Sequence, residues 1–380
     1  MANAAGRAAG HRQGAATMSS GTRHIALQFG HIKHFNEGLA EFSRQLALQF
    51  SQQASTLKAE RNWQFHFIMP SQWHGMFGSE VQYHDLHDGM RLRHRFPVDL
   101  DVWHGLHQHM RYRPPVNSRR NVITVHDLNH VYAKKGLSLW WQNMRLTRHL
   151  RRAHQLVAIS QYAANDLRQH LPWAPEATVI HNGAADLSTA PQTPVEALNG
   201  QAFLLHISRM SPSKNVEALI NMAAIWPERQ LALVGPDSPE VQAHQARAKA
   251  LGLNNVRFFT DVNESQKTWL YAHCDAFLFP SLMEGFGLPP IEAMFFGKPV
   301  VVARRTCLPE ICGEGAAYWD DFEPKGMRQI TESWLAQHQQ NPGTAELVRQ
   351  QAQRYTWARA AQQYMALYAP DAARKDGSTC

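Results

Sequence analysis

In this 380-residue chain, the residues best suited to bind a ligand or take part in a reaction are two carboxylates beside a glycine-rich loop. The apolar run 275–279 predicts a buried strand, and the loop 284–288 follows it with two glycines. Pro289 then predicts a helix start, because the fixed φ and missing N–H of proline cost little there. Such a helix N-terminus attracts anions through unpaired N–H groups and its dipole. Glu284 and Glu292 could accept hydrogen bonds from the hydroxyl groups of a ligand that also carries an anion. The alternative interpretation is an ordinary strand–helix turn with two surface glutamates.

Two basic residues follow an earlier strand pattern in the same half of the chain. The run 203–207 predicts a strand, and the polar turn after it carries Arg209 and Lys214. Both side chains can reach one diphosphate, the arginine as a planar fork and the lysine as a point charge. Unrelated surface charges are the alternative interpretation.

A histidine–aspartate pair ends a strand in the first half. The apolar run 121–125 predicts a buried strand, and His126 and Asp127 come directly after it. An imidazole can donate a hydrogen bond to a sugar hydroxyl, and the adjacent carboxylate can set its tautomer or hold another hydroxyl. A histidine that merely ends a strand is the alternative.

More histidines follow the strand predicted at 98–103. His104 and His107 are candidates to line a cleft, because parallel strands bring their ligands to the carboxyl ends. Asp99 and Asp101 in the same run mimic a metal-binding Asp-x-Asp pair. They lie within a strand pattern rather than at its end, so we predict no metal site.

These residues require elements that alternate strand and helix. A first strand at 23–29, a loop at 30–38 and a helix at about 39–50 open the chain, and the same order restarts at residue 203. Repeated strand–helix units in two halves predict an α/β protein with two Rossmann-like domains that face each other across a cleft.

In their order along the chain, these motifs resemble glycosyltransferase family 4. The resemblance covers roughly residues 20–369 and rests on His126-Asp127, Arg209, Lys214 and the pair Glu284 and Glu292. It implies the GT-B fold and a retaining transfer from a nucleotide diphosphate sugar. Two departures are Ser208 for the usual glycine and Glu37-Gly38 for the usual Gly-Gly pair.

Composition and the strand–helix pattern, together with the resemblance, predict the domain bounds and the residue roles. The segments are a disordered extension 1–17, an acceptor domain 18–186, a linker 187–199, a nucleotide-sugar domain 200–354, a helix 355–369 that crosses back to the first domain, and a loose tail 370–380. Predicted catalytic residues are His126, Asp127, Arg209, Lys214 and Glu284. Predicted nucleotide-sugar contacts are Arg209, Lys214, Val262, Glu284, Gly285, Phe286, Gly287, Leu288 and Glu292, and weaker acceptor-side candidates are Gly38, His104 and His107.

Composition limits the cellular setting. No apolar run approaches the ~20 residues of a membrane-spanning helix, and the first 17 residues lack the apolar core of a secretory signal. The four cysteines, Cys274, Cys307, Cys312 and Cys380, form no metal-binding or disulfide pattern, which favours free thiols in a reducing cytoplasm. We therefore predict a cytoplasmic protein. The resemblance implies a nucleotide sugar as co-substrate, in either a UDP or a GDP form, and no further cofactor.

The net charge of +7 is uneven. Residues 18–190 hold 19 Lys and Arg against 12 Asp and Glu, whereas residues 191–380 hold 17 against 19. A basic first half suits an anionic, lipid-linked glycan acceptor, and peripheral contact with the inner face of an anionic membrane is a further hypothesis. The expected function is transfer of a hexose such as mannose or glucose during bacterial lipopolysaccharide or surface polysaccharide synthesis.

Two other classes of function remain open at this stage. One is a different GT-B enzyme, either an inverting transferase with His31, His34 or Glu37 as its base or a phosphorylase with a pyridoxal lysine. The other is a non-enzymatic binder that uses the basic half. We expect no nucleic-acid partner, because the sequence lacks an aromatic-and-basic recognition motif.

Overall fold

The computed structural model describes residues 21–30, 32, 38–133 and 135–369. Within those residues the chain forms two sheets, one with seven strands and one with six, and every strand pair is parallel. Parallel sheets need helices on both faces, which is why apolar runs dominate the strands. The predicted α/β architecture of two Rossmann-like domains is confirmed.

The first domain is built on the seven-stranded sheet, whose spatial order is β3-β2-β1-β4-β5-β6-β7. Its strands are β1 (Arg23–Gln28), β2 (Trp63–Met69), β3 (Gln82–Asp85), β4 (Leu100–Gly105), β5 (Ser118–Val125), β6 (Gln155–Ala158) and β7 (Ala177–Val179). Its helices are α1 (Gly38–Arg61), α2 (Asn129–Ala133), α3 (Gly136–Leu150) and α4 (Gln161–His170). The sheet places the ends of β4 and β5 side by side, and His126 and Asp127 follow β5 there.

The second domain is built on the six-stranded sheet, in the order β10-β9-β8-β11-β12-β13. Its strands are β8 (Phe203–Ile207), β9 (Gln230–Val234), β10 (Val256–Phe259), β11 (Ala276–Phe279), β12 (Val300–Ala303) and β13 (Ala316–Trp319). Its helices are α5 (Val216–Ala224), α6 (Pro239–Ala250), α7 (Glu264–His273), α8 (Leu288–Phe295), α9 (Leu308–Cys312), α10 (Pro324–Gln340) and α11 (Gly343–Gln353). Because β8 and β11 are neighbours, the turns after them meet at one edge.

The last helix, α12 (Trp357–Tyr368), returns to the first domain, as the resemblance implied. Its side chains join the apolar core formed by β1, β2 and α1. The Tyr364 hydroxyl lies 3.0 Å from the Thr124 hydroxyl, and the Arg23 guanidinium donates to the Tyr368 carbonyl at 2.8 Å. These contacts fasten the two domains through a segment that follows both of them.

Some bounds differ from those predicted. The first helix was expected at about 39–50 but runs from Gly38 to Arg61, because polar residues beyond residue 50 still permit helix on an exposed face. The Asp101 carboxylate pairs with Arg23 and Arg119 and accepts a hydrogen bond from the His24 amide, so it is a structural anchor. None of the described helices is long and apolar enough to cross a membrane.

Candidate active site

The loop before α8 has the backbone shape that an anion-binding turn requires. Gly287 precedes the helix with a φ of 91°, a left-handed value that favours glycine. A Cβ at this position would also lie 2.8 Å from Leu308 Cδ2. Pro289 occupies the first turn, and the first-turn amides of a helix have no acceptor within the helix. The predicted strand, glycine turn and helix N-terminus are therefore present.

Two neighbouring turns are bound together beside this helix. The carbonyl of Ser213 accepts hydrogen bonds from the Leu282 amide at 2.8 Å and the Ser281 hydroxyl at 3.1 Å. This contact brings Lys214 Nζ against Glu284 Oε1, where it donates a hydrogen bond. The Ser281 hydroxyl lies 2.7 Å from the same oxygen. Two residues predicted separately from distant parts of the sequence thus form one ion pair.

Arg209 lies at the end of β8, close in sequence to the Lys214 turn. Its side chain is exposed, and no described carboxylate forms an ion pair with it. An exposed guanidinium that pairs with no described carboxylate can bind an anion.

Glu292 belongs to a second cluster, on the first turns of α8. Its Oε2 accepts a hydrogen bond from the Tyr271 hydroxyl at 2.8 Å, and Lys267 Nζ lies 4.0 Å away. Burial works to lower the pKa of Lys267, but the charges of Glu292 and Glu264 outweigh it and raise that pKa. The Glu292 carboxylate is therefore oriented by the Tyr271 hydroxyl and the nearby Lys267 ammonium. Sequence analysis missed Lys267 and Tyr271, although their i, i+4 spacing on α7 places them on one helix face.

His126 follows β5 and is almost fully buried. Its Nε2 donates to the Leu106 carbonyl at 2.9 Å, which leaves Nδ1 as an acceptor in the neutral ring. The ring stacks edge-on against Phe42, with centroids 4.7 Å apart. Burial lowers its pKa to about 4, against the effect of the Leu106 hydrogen bond. His126 is therefore a neutral hydrogen-bonding group near pH 7, not a cation.

Asp127 is partly buried beside it. Its carboxylate accepts a hydrogen bond from the Asn129 amide at 3.0 Å. Burial raises the pKa of Asp127; the Asn129 amide and His130 oppose this rise, and the negative charge of Glu284 adds to it. The electrostatic contact with Glu284 brings the predicted residues of the two domains into one region.

The domains touch directly at Gly285. A Cβ on Gly285 would lie 2.4 Å from the carbonyl oxygen of His126, so only glycine allows this approach. The carbonyl of Gly285 accepts a hydrogen bond from the Ser160 hydroxyl of the first domain at 2.9 Å. Gly285 therefore sets the distance between the loop before α8, called the donor loop below, and the His126-Asp127 pair.

Glu310 makes a second interdomain contact. From the second domain, its carboxylate accepts hydrogen bonds from the amides of Gln161 and Tyr162 at the start of α4, at 2.7 and 2.9 Å. It also accepts from His181 Nε2 at 2.7 Å. Burial opposes ionisation, but these hydrogen bonds outweigh it and lower the pKa of Glu310. Sequence analysis gave this glutamate no role.

Gln108 is a further residue that sequence analysis missed. Its buried amide accepts from the His126 amide at 3.1 Å and donates to the Asp127 carbonyl at 2.7 Å. It therefore fixes the backbone of the pair from the neighbouring loop after β4. A lone glutamine among histidines gives no signal in the sequence, since only the fold brings the two loops together.

Other predicted binding residues contribute through backbone or packing. Phe286 is buried, with its ring edge-on to Tyr355 at 5.5 Å. Leu288 and Val262 are half-buried against the second-domain core, and Val262 lies in the loop between β10 and α7. Gly38 begins α1. The alternative bases His31, His34 and Glu37 lie outside the described residues.

The weaker histidine candidates lie in different places. The structure places His104 in the core rather than at the cleft, with Nδ1 2.5 Å from the Tyr368 hydroxyl and Nε2 2.8 Å from Thr124. Its side chain is fully buried under α12, which the strand pattern could not show. His107 is also buried, but its ring centroid lies 5.5 Å from that of His126. His107 therefore packs beside His126.

Comparison with known proteins gives this arrangement a family. Residues 192–337 match the family model described as glycosyl transferases group 1, and residues 59–185 match the model described as glycosyltransferase family 4. The chain is a family 4 glycosyltransferase. The two matches fall on the second and first domains in the order that the GT-B fold requires.

Two relatives of this glycosyltransferase come from Escherichia coli. The serotype-specific mannosyltransferase WbdA is 28% identical over 201 residues, which cover 48% of this chain and 25% of that protein. The O-antigen chain mannosyltransferase B is 26% identical over 237 residues, which cover 58% of this chain and 61% of that protein. The chain thus matches less than two thirds of the length of either relative.

A solved structure agrees on the fold. Anabaena Alr3699/HepE, solved with UDP and glucose, aligns with a TM-score of 0.68 over 91% of this glycosyltransferase and 99% of that chain. The sequences are 19% identical, so this likeness concerns the GT-B fold alone.

Proposed function

We propose that this glycosyltransferase moves a hexose, such as mannose or glucose, from a nucleotide diphosphate sugar to a glycan or lipid-linked acceptor, with retention of the anomeric configuration. The setting proposed is bacterial lipopolysaccharide or surface polysaccharide synthesis. Two relatives named as mannosyltransferases support the sugar class, and one of them is named for the O-antigen chain. No metal or further cofactor is part of the proposal.

The observation that carries the proposal is the meeting of two residue sets across the Gly285 contact. On one side lie the α8 N-terminus and the Lys214–Glu284 pair, and on the other lie His126 and Asp127. An anion site faces hydroxyl-binding groups across the contact between the domains, which is the arrangement that a sugar bound to a diphosphate requires.

The leaving diphosphate sets the main chemical demand. As the bond between the sugar C1 and the phosphate oxygen breaks, negative charge grows on the diphosphate. In this proposal Arg209, Lys214 and the first-turn amides of α8 stabilise that charge more strongly in the transition state than before it. One such donor is typically worth about 3–4 kcal/mol of barrier.

The acceptor hydroxyl attacks C1 from the face that the diphosphate leaves. The new bond joins the acceptor oxygen to C1, and a phosphate oxygen takes the acceptor proton, so the products are a nucleoside diphosphate and a glycoside. Glu284 and the neutral ring of His126 hold sugar hydroxyls in this scheme, and Glu292 holds the ribose. Lys214 neutralises Glu284 before the donor binds, which allows a carboxylate to lie beside a diphosphate.

The acceptor belongs to the first domain in this proposal. That half of the chain carries the excess positive charge, which suits a glycan linked to an anionic lipid at the inner face of the cytoplasmic membrane.

The test combines binding and product analysis. Thermal shifts with UDP, GDP and their sugars identify the nucleotide, and NMR of the product identifies the anomer. A shift with one nucleotide family and a product that keeps the donor anomer are expected. No shift with any nucleotide would remove the proposed donor, and an inverted product would replace the retaining mechanism by an inverting one.

A further inference from the structure

The outward face of α3 exposes more large apolar side chains than a helix face in contact with water usually does. Leu137, Trp141 and Met144 lie at i, i+4 and i+7 on one face, with Trp140 beside them. Leu137 is 78% exposed, Trp140 55% and Trp141 53%. The two indole rings pack edge to face with centroids 5.0 Å apart. A paired, exposed tryptophan surface of this kind marks an interaction site.

Positive charge continues the same helix. Arg145 and Arg148 are exposed on α3, and Arg151 is exposed just after it. No Asp or Glu occurs between Asp127 and Asp166, whereas this interval holds six basic residues, namely Lys134, Lys135, Arg145, Arg148, Arg151 and Arg152. Within the described part of the chain, no carboxylate pairs with any of these arginines. The positive charge of these arginines is therefore not balanced by a described carboxylate, and an anionic partner could bind to it.

The helix lies next to the candidate active site. Asp127 is followed directly by α2, and His130 on α2 lies within hydrogen-bond distance of Asn143 on α3, with Nε2 and Oδ1 2.9 Å apart. The opposite face of α3 is anchored in the first-domain core by Leu146 and Leu150. These contacts fix the position of α3 on the first domain, near Asp127.

We propose that the outward face of α3, formed by Leu137, Trp140, Trp141, Arg145 and Arg148, docks on an anionic lipid membrane. Indole rings favour the boundary between lipid headgroups and acyl chains, and arginines favour acidic headgroups. The proposal rests on the proposed function only in the sense that docking would present a lipid-linked acceptor beside Asp127. Lipid binding itself needs neither donor nor acceptor.

Charge argues against a second copy of the chain as the occupant. A two-fold dimer places the same patch on both partners, so arginines would face arginines. With no carboxylate on the face to pair with them, such an interface is electrostatically repulsive. An acidic lipid surface removes this conflict.

Sedimentation of the full chain with vesicles tests the proposal. The wild type is expected to bind vesicles of phosphatidylglycerol and phosphatidylethanolamine, and to bind phosphatidylcholine vesicles much more weakly. The double variant Trp140→Ala/Trp141→Ala should lose about tenfold or more in affinity for the anionic vesicles. Arg145→Gln and Arg148→Gln should each lose about fivefold, and salt should reduce the difference from wild type.

A matched control removes exposed leucines from the second domain. Leu251 and Leu347 are 49% and 42% exposed, so Leu251→Ala/Leu347→Ala truncates two exposed apolar side chains away from α3 and should bind vesicles like the wild type. Thermal shift with the nucleotide identified above checks that all variants are folded, and it reads the donor site separately from lipid binding. Equal vesicle binding by wild type and the tryptophan double variant would overturn the proposal. So would a dimer, seen without lipid, that the tryptophan substitutions dissociate.

Discussion

The two sides of the candidate active site use opposite electrostatics. The second domain pairs acidic and basic side chains, as in Lys214 with Glu284 and in Lys267 beside Glu292. The first domain offers His126, which burial keeps neutral. Under the proposed function, the charged side meets the leaving diphosphate and the neutral ring of His126 meets sugar hydroxyls, because a growing negative charge needs fixed charge whereas hydroxyls need directional, uncharged hydrogen bonds.

The same contrast extends through the two cores. Burial lowers the pKa of His66 and His104 to about 3 and that of His126 and His149 to about 4, all in the first domain. Among described histidines of the second domain, only His206 has a pKa that burial lowers as far, also to about 4. The first domain therefore depends far more on histidines that must stay neutral.

Acidification should give the largest effect, a loss of stability, and it should destabilise the first domain more than the second. An unfolded histidine titrates near 6.5. Between that value and the folded values of 3–4 the unfolded chain binds more protons, so unfolding free energy falls as pH drops below about 6.5. From pH 7.5 to 5.5 each such histidine costs about 1.4 kcal/mol, giving roughly 5 kcal/mol for the first domain against one such term for the second. Hydrogen-exchange protection of each domain at the two pH values measures this.

Loss of protection in the second domain before the first would contradict that prediction. His87→Gln is a suitable control, because His87 is exposed and its replacement should leave the acid response of the first domain unchanged.

Removal of Lys214 tests the charged side of the comparison. Lys214→Met should slow release of nucleoside diphosphate from the donor by a factor on the order of 10²–10³, because one fixed positive group near the leaving phosphate is lost. Initial rates at saturating donor measure the effect. Lys249→Met removes an exposed lysine from α6 in the same domain and should leave the rate unchanged. Equal losses in the two variants would assign the effect to general charge rather than to the site.

Gly285→Ala tests the contact between the two sides. The added Cβ meets the His126 carbonyl at 2.4 Å, and a backbone oxygen cannot move aside as a flexible side chain can. We expect transfer to fall about a hundredfold as the domains separate, while nucleotide affinity of the second domain persists. Gly326→Ala adds a methyl group in α10 with its nearest neighbour 4.0 Å away and serves as the control. Loss of nucleotide binding together with transfer would show instead that the donor loop itself is damaged.

Glu292→Gln should give the smallest effect of these changes, and it tests whether Glu292 contributes to nucleotide binding. The substitution keeps the side-chain volume but removes the charge, so a hydroxyl hydrogen bond weakens and nucleotide affinity should fall about tenfold. Calorimetry with the preferred nucleoside diphosphate measures this, and Glu346→Gln on α11 is the control on an exposed ion pair. An unchanged dissociation constant would remove Glu292 from the nucleotide site.

The fold followed from the sequence because its signals are local and repeated. Short apolar runs such as Val300–Ala303, bounded by turn residues, predict strands buried on both faces, and the helical segments between them favour parallel sheets. The glycine turn at Gly287 is equally local, since its φ depends on its own backbone. The catalytic and binding assignments of Glu284, Lys214, His126 and Asp127 stay predictions, although the structure brings these residues into one region.

Other features were beyond any local pattern. The sequence shows His104 and His126 as the same kind of signal, a histidine at the end of a strand. One is covered by α12 and the other is not, because a segment 264 residues away folds back over His104. Gln108 and Glu310 were likewise without a signal, since their partners lie on other loops or in the other domain.

The sequence by itself therefore determined the family, the two-domain α/β architecture and the glycine turn that begins α8, each of which depends on short-range spacing and backbone conformation. Tertiary structure alone decided that Lys214 pairs with Glu284, that Gly285 meets His126 and that α3 turns its tryptophans outward. The physical reason is that burial and electrostatic contact depend on distances between segments far apart in the chain, and those distances exist only after the sheets have packed.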